Sequence, residues 1–160
     1  NPLDVAVSYA HHCAVDLDKA IAMMGDRQAV FCAADSRLAA QVRQKLLDWS
    51  GHVQSWTAAP GLKVLPVRYE DMRLNPLPTF RRAAAFLGLP DDAESVQAAL
   101  ACCDFERLRQ QERQGNFLER PPKADCFFRK GEVGDWRNVL TENQVQRIIA
   151  DHGKMMRRFG

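Results

Sequence analysis

Along much of this chain, apolar residues recur at helical spacing rather than in alternation. Asn1-Pro2-Leu3-Asp4 has the chemistry of a helix start. Asn is a strong N-cap, Pro suits the first helical position, and Asp4 stands where a capping box would close. The helix then carries VAVSYAHHCAV. Asp16 is placed to cap a second, short helix over LDKAIAMM, which Gly25 ends. RQAVFCAADSR holds a short extended piece, since Ala29-Val30-Phe31-Cys32 is apolar. Ser36 is placed to cap a long helix through Thr57, with Leu38, Val42, Leu46, Trp49 and Val53 at helical spacing.

Beyond the Pro60-Gly61 turn, KVLPVRY (Lys63 to Tyr69) is short and mostly apolar, and predicts a buried parallel strand. Pro66 inside it points to an edge or a bulge. Glu70-Asp71 follow, with Asp71 read as a helix cap. Pro76 to Leu87 reads as a helix ended by Gly88, and Pro90-Asp91-Asp92 opens another through VQAALACC. Asp104 is placed to cap FERLRQQER. Residues 115–125 are polar, contain Pro121-Pro122, and predict a mobile loop. Thr141 opens a closing helix to Arg158 that carries Val145, Ile148, Ile149 and Met156. One strand cannot make a sheet. Its partners are therefore expected upstream of Asn1, as the opening on Asn1-Pro2 also suggests.

Composition changes this picture little. A chain of 160 residues with 46% hydrophobic and 26% charged residues fits one ordinary globular domain. A net charge of +2 argues against bulk binding to nucleic acid or to a membrane surface, so an anion site must come from local clustering. No apolar run approaches a membrane span, and no signal-peptide pattern opens the chain. The five cysteines form no C-x-x-C pair, which disfavours a disulfide framework or structural zinc and favours a reducing, cytoplasmic setting.

FFRKGEVGDW, residues 127–136, carries the strongest chemical signal. Arg129 offers a planar fork for two anion oxygens, Lys130 adds a point charge, and Gly131 lets the backbone come close. Phe127 and Phe128 can wall an aromatic base. Taken alone, the Arg-Lys-Gly tripeptide also fits a solvated basic turn. The helix start at Asn1 is a second anion candidate, with the Ser8 hydroxyl one to two turns in. His11 and His12 point apart and make a poor metal pair, and no Ser-His-Asp or Cys-His order stands out.

Four segments resemble, in order, the cytosolic-type sulfotransferases. NPLDVAVSYAHH is similar to R-N-P-x-D-V-A-V-S-x-x-H/F, VRYEDM to the Y-E-D-(L/M) segment, RRAAAFLGLP to the F-L-G helix, and FFRKGEVGDWRN to F-x-R-K-G-x-x-G-D-W-K-N. The resemblance implies an α/β, P-loop-like fold with a parallel sheet flanked by helices. Residues 1–160 would be the C-terminal part of a single such domain, mostly helical and lacking the N-terminal strands. It implies sulfuryl transfer from 3′-phosphoadenosine 5′-phosphosulfate to a hydroxyl or amine of a small acceptor. No metal, nucleic-acid or membrane partner is implied, and homo-oligomers stay open. The family's dimer stretch K-x-x-x-T-V-x-x-x-E aligns with Arg137 through Gln146, where Thr141 is kept but Glu142 and Gln146 break the pattern.

The resemblance also implies site roles. Ser8, Arg129, Lys130 and Gly131 would hold the 3′-phosphate. Tyr69 and Phe105 would contact adenine, and Cys103 and Phe128 would line the nucleoside. Trp136 would pack the loop against the core. The family's P-K-S-G-T-T-W loop does not occur in these residues, and neither His11 nor His12 stands in the place of its catalytic histidine. The chain alone is expected to be inactive. The alternatives are a non-catalytic nucleotide-binding or interaction module of the same fold, and a helical nucleic-acid binder using Arg129-Lys130 and Arg157-Arg158.

Overall fold

The computed structural model describes residues 1–32, 42–115, 117–120 and 124–159. Helices dominate: α1 (Pro2–Cys13), α2 (Leu17–Gly25), α3 (Trp49–Thr57), α4 (Tyr69–Leu74), α5 (Pro76–Leu87), α6 (Ala93–Cys102), α7 (Phe105–Arg113) and α8 (Glu142–Phe159), with a 3-10 turn over Asp135–Asn138. The strands β1 (Val30–Phe31) and β2 (Gln44–Lys45) pair antiparallel, Val30 opposite Lys45 and Phe31 opposite Gln44. The chain divides into two compact units, one of residues 1–11, 15–64 and 136–160, the other of residues 12–14 and 65–135. Among the described residues no helix is long and apolar enough to cross a membrane.

The first unit is built around Leu3, Ala6, Ile21, Met24, Val145 and Ile148, with Tyr9, Trp49, Trp136, Leu140 and Met156 packed against them. Asn1 caps α1 through Oδ1, which accepts from the Leu3 amide at 3.0 Å. Asp4 reaches further, its Oδ1 accepting from the Trp136 amide at 3.0 Å. That bond ties the 3-10 turn to the first turn of α1. Asp16 caps α2 as expected, accepting from the Lys19 amide. Thr141 and Gln144 form a reciprocal capping box, amide to side chain in both directions, at 3.0 and 3.4 Å. The buried stripe of α8 runs through Val145, Ile148, His152 and Met155, while Ile149 is exposed and Met156 half-buried. The expected pair of Ile149 and Met156 therefore flanks the stripe rather than forming it.

Two expectations fail in this region and just after it. Of the long helix expected from Ser36 to Thr57, the described residues form only the last part, α3. Residues 33–41, including Ser36 and Leu38, lie outside the described residues. Gln44 and Lys45 pair with β1, Leu47 adopts a left-handed φ of 63°, and Asp48 starts a fresh helix by accepting from the Gly51 amide. Only Trp49 and Val53 of the expected stripe are helical. Lys63 to Arg68 is not a strand, and Tyr69 opens α4 instead. A strand is stabilised by its ladder partner, and no strand among the described residues pairs with this segment. Arg68, which makes no side-chain capping hydrogen bond, is the N-cap, so Asp71 does not cap α4 but sits in its first turn.

In the second unit α4 packs on α5, and α5 on α6. Thr79 Oγ1 donates to the Asp71 carbonyl at 3.1 Å, joining the first pair. Gly88 ends α5 in the left-handed conformation, φ 70°, the geometry that favours glycine at this position. Asp92 and Asp104 cap α6 and α7 by accepting first-turn amides.

Candidate functional site

Tyr69, Cys103, Phe105, Phe128, Arg129, Lys130 and Gly131 belong to the second unit, and Ser8 to the first. Ser8 is exposed on α1. Tyr69, 42% exposed, begins α4. Cys103 is exposed at the end of α6, its amide donating to the Ala99 and Leu100 carbonyls. Asp104 accepts from the Glu106 and Arg107 amides at 3.0 and 3.2 Å. That cap makes Phe105 the first residue of α7, directly after Cys103 and Asp104.

From Phe105 the site assembles outward. The Phe105 and Phe128 rings meet edge to face, centroids 6.0 Å apart. A Cβ on Gly131 would fall 2.6 Å from both Phe105 Cδ2 and Cε2, so the loop backbone runs against the ring where only glycine fits. Gly131 also has φ 66°, a conformation that side chains disfavour. Phe117 closes the aromatic group, 4.8 Å from Phe127 and 5.0 Å from Phe128. The Arg73 guanidinium lies 5.8 Å from the Phe105 centroid, and Arg73 follows Tyr69 by one helical turn on the same face of α4. His12 stands edge-on to Phe127, 6.5 Å between centroids.

The two cations of the loop converge on one carboxylate. Arg129 Nη2 donates to Asp135 Oδ2, and Lys130 Nζ to Asp135 Oδ1, each at 2.7 Å. Asp135 is only 4% exposed. The Lys130 ammonium, then the Arg129 guanidinium, hold its carboxyl below the ordinary carboxylate value. Two positive groups against one negative leave a net positive charge. Each bond uses one nitrogen of a group that carries several N–H donors. This arrangement can take up an anion, with a wall of phenylalanine rings beside it for an aromatic partner.

Two members of this cluster escape a reading of the sequence for motifs. Asp135 lies inside the Gly-Asp-Trp run but carries no positive charge to draw attention to an anion site. Glu112 sits in the polar helix FERLRQQER, yet it is buried, and its carboxylate accepts from the Phe127 and Phe128 amides at 2.6 and 3.0 Å. The signal for it is spacing: Phe105, Leu108 and Glu112 fall at i, i+3 and i+7 on one helix face. Trp136 belongs to the first unit, where it packs against the core as expected, with the Arg137 guanidinium 4.5 Å from its ring.

A family model described as "Sulfotransferase domain" matches residues 1–160. Among curated proteins, the chain is 28% identical over 160 residues to flavonol 3-sulfotransferase of Flaveria bidentis, covering 92% of this chain and 50% of the relative. It is 30% identical over 162 residues to cytosolic sulfotransferase 5 of Arabidopsis thaliana, covering 94% of this chain and 49% of the relative. The chain thus spans about half the length of these relatives. Among solved structures, the fold is similar to the crystal structure of a mouse sulfotransferase, SULT7A1, complexed with PAP. That likeness has a TM-score of 0.68 at 21% identity and covers 98% of this chain and 56% of the mouse chain.

Proposed function

Because this chain belongs to the sulfotransferase domain family, we propose that the protein carrying it transfers a sulfuryl group from 3′-phosphoadenosine 5′-phosphosulfate to a hydroxyl or amine of a small acceptor. The observation that carries this reading is the cationic pair Arg129-Lys130, gathered on the buried Asp135 with net positive charge and backed by phenylalanine rings. A ribose 3′-phosphate beside an adenine has the complementary chemistry, an anion next to an aromatic plane. The solved relative complexed with PAP supports the ligand class. Residues 1–160 are then part of one such domain, and the relatives named cytosolic support a cytoplasmic setting.

In this reading Arg129 and Lys130 bind the 3′-phosphate by charge-assisted hydrogen bonds, and Gly131 lets the backbone approach it. Phe105 and Phe128 offer apolar faces to the nucleoside, with Tyr69 at the start of α4 and Cys103 at the end of α6. Transfer is an in-line displacement at sulfur. The acceptor oxygen or nitrogen forms a bond to sulfur, the bond from sulfur to the 5′-phosphate oxygen breaks, and the acceptor proton leaves to a base. These residues contribute by fixing the donor, so that the reacting atoms meet at the required angle. The test is incubation of the intact protein with donor labelled in sulfur and a panel of phenols, alcohols and amines. Label in an acceptor, matched by an equal amount of 3′-phosphoadenosine 5′-phosphate, is the expected result. Tight binding of the bisphosphate with no label in any acceptor would favour a non-catalytic binding module instead.

A further inference from the structure

The structure assigns Glu112 a positioning role: its buried carboxylate clasps the backbone just ahead of Arg129 and thereby sets how strongly the loop selects a 3′-phosphate. The inference rests on the reading of Arg129, Lys130 and Gly131 as the 3′-phosphate site. Glu112 is 9% exposed, in the last turn of α7. Its two oxygens accept from consecutive amides, Phe127 at 2.6 Å and Phe128 at 3.0 Å. Consecutive N–H groups aimed at one point make a concavity for an anion, and here the chain fills it with a carboxylate of its own. Bonds from amides to an ionised acceptor are roughly twice as strong as neutral ones, and burial keeps water from competing. The next amide, Arg129, donates back to the Phe127 carbonyl at 3.1 Å, so the turn into the cationic pair starts from the clasped residues.

The same helix holds the loop at a second point. Phe105, at the first position of α7, lies against the Gly131 backbone and against the Phe128 ring. Phe105 and Glu112 are seven residues apart on one face, roughly 10 Å along the axis. A rigid helix gripping a loop at two points on either side of Arg129-Lys130 fixes where the two charges start. Asp135 then fixes where they end. A site held this way binds its ligand without first losing loop entropy. Glu112 touches neither charge directly and acts only through the backbone.

The test is calorimetric titration of the intact protein with 3′-phosphoadenosine 5′-phosphate and with AMP, comparing the unmodified protein with Glu112→Gln. The substitution removes the charge and one acceptor while keeping the shape. The bisphosphate is expected to bind about tenfold more weakly, the scale of losing a charge-assisted partner, while AMP affinity stays within about twofold. A merely structural residue would lower the unfolding temperature and leave the ratio of the two affinities unmoved, and that result overturns the role. An unmodified protein with no preference for the 3′-phosphate overturns the site reading and this role together. Should Glu112→Gln not fold, hydrogen exchange in the unmodified protein decides. The Phe127 and Phe128 amides are expected to gain protection with the bisphosphate and not with AMP, and equal protection with both refutes the clasp.

Discussion

Gly131 shows how tightly single residues are specified in this loop. Its φ of 66° and a prospective Cβ contact of 2.6 Å to Phe105 are independent reasons to exclude a side chain. In Gly131→Ala the left-handed conformation alone costs about 1–2 kcal/mol. Relief of the clash would further move either Phe105 or the cationic pair. The expected outcome is a lower thermal unfolding midpoint together with weaker binding of 3′-phosphoadenosine 5′-phosphate. An unchanged midpoint and unchanged affinity would show that the loop lies elsewhere. At this scale Arg129, Lys130 and Gly131 stand out in the sequence as candidates because they are contiguous and chemically unusual. Glu112 and Asp135 do not. A carboxylate's partner is set by folding, and one acidic residue in a polar helix reads like any other.

At the scale of elements, local chemistry proved more legible than pairing. Asn1, Asp16, Asp92, Asp104 and Thr141 all accept the first-turn amides that their sequence positions predict. Caps are decided within three or four residues. The failures, Lys63 to Tyr69 as a strand and a single helix from Ser36, needed information from afar: whether a ladder partner exists, and whether Gln44-Lys45 finds β1. The joint between α3 and α8 offers a prediction. His152 is 2% exposed, with Ser50 Oγ 3.0 Å from its Nδ1 and the Trp49 ring 5.5 Å away. Burial pushes its pKa below the ordinary 6.5, against the pull of Asp151 and Asp48. A histidine with a depressed folded value takes up its proton more readily when unfolded. Its contribution is therefore full above 6.5 and is lost as pH falls below that value. The unfolding midpoint should drop with pH below about 6.5, and His152→Gln should flatten that slope. Equal slopes in both proteins would remove His152 as the cause.

At the scale of the whole molecule, the order of four motifs predicted the family, and the match over residues 1–160 establishes it. Among the described residues the architecture is mostly helical, as expected, whereas the antiparallel pairing of β1 with β2 was not foreseen. The acceptor was not legible, because no residue pattern in the chain points to one class of hydroxyl or amine. The central claim is that the cationic glycine loop recognises a phosphate on the ribose 3′ position. It is tested most directly by calorimetry on the intact protein with 3′-phosphoadenosine 5′-phosphate and AMP, in the unmodified form and as Arg129→Ala. A strong preference for the bisphosphate, reduced by about 1.5–3 kcal/mol in the variant, is the predicted result. Equal affinity of the unmodified protein for the two nucleotides would contradict it.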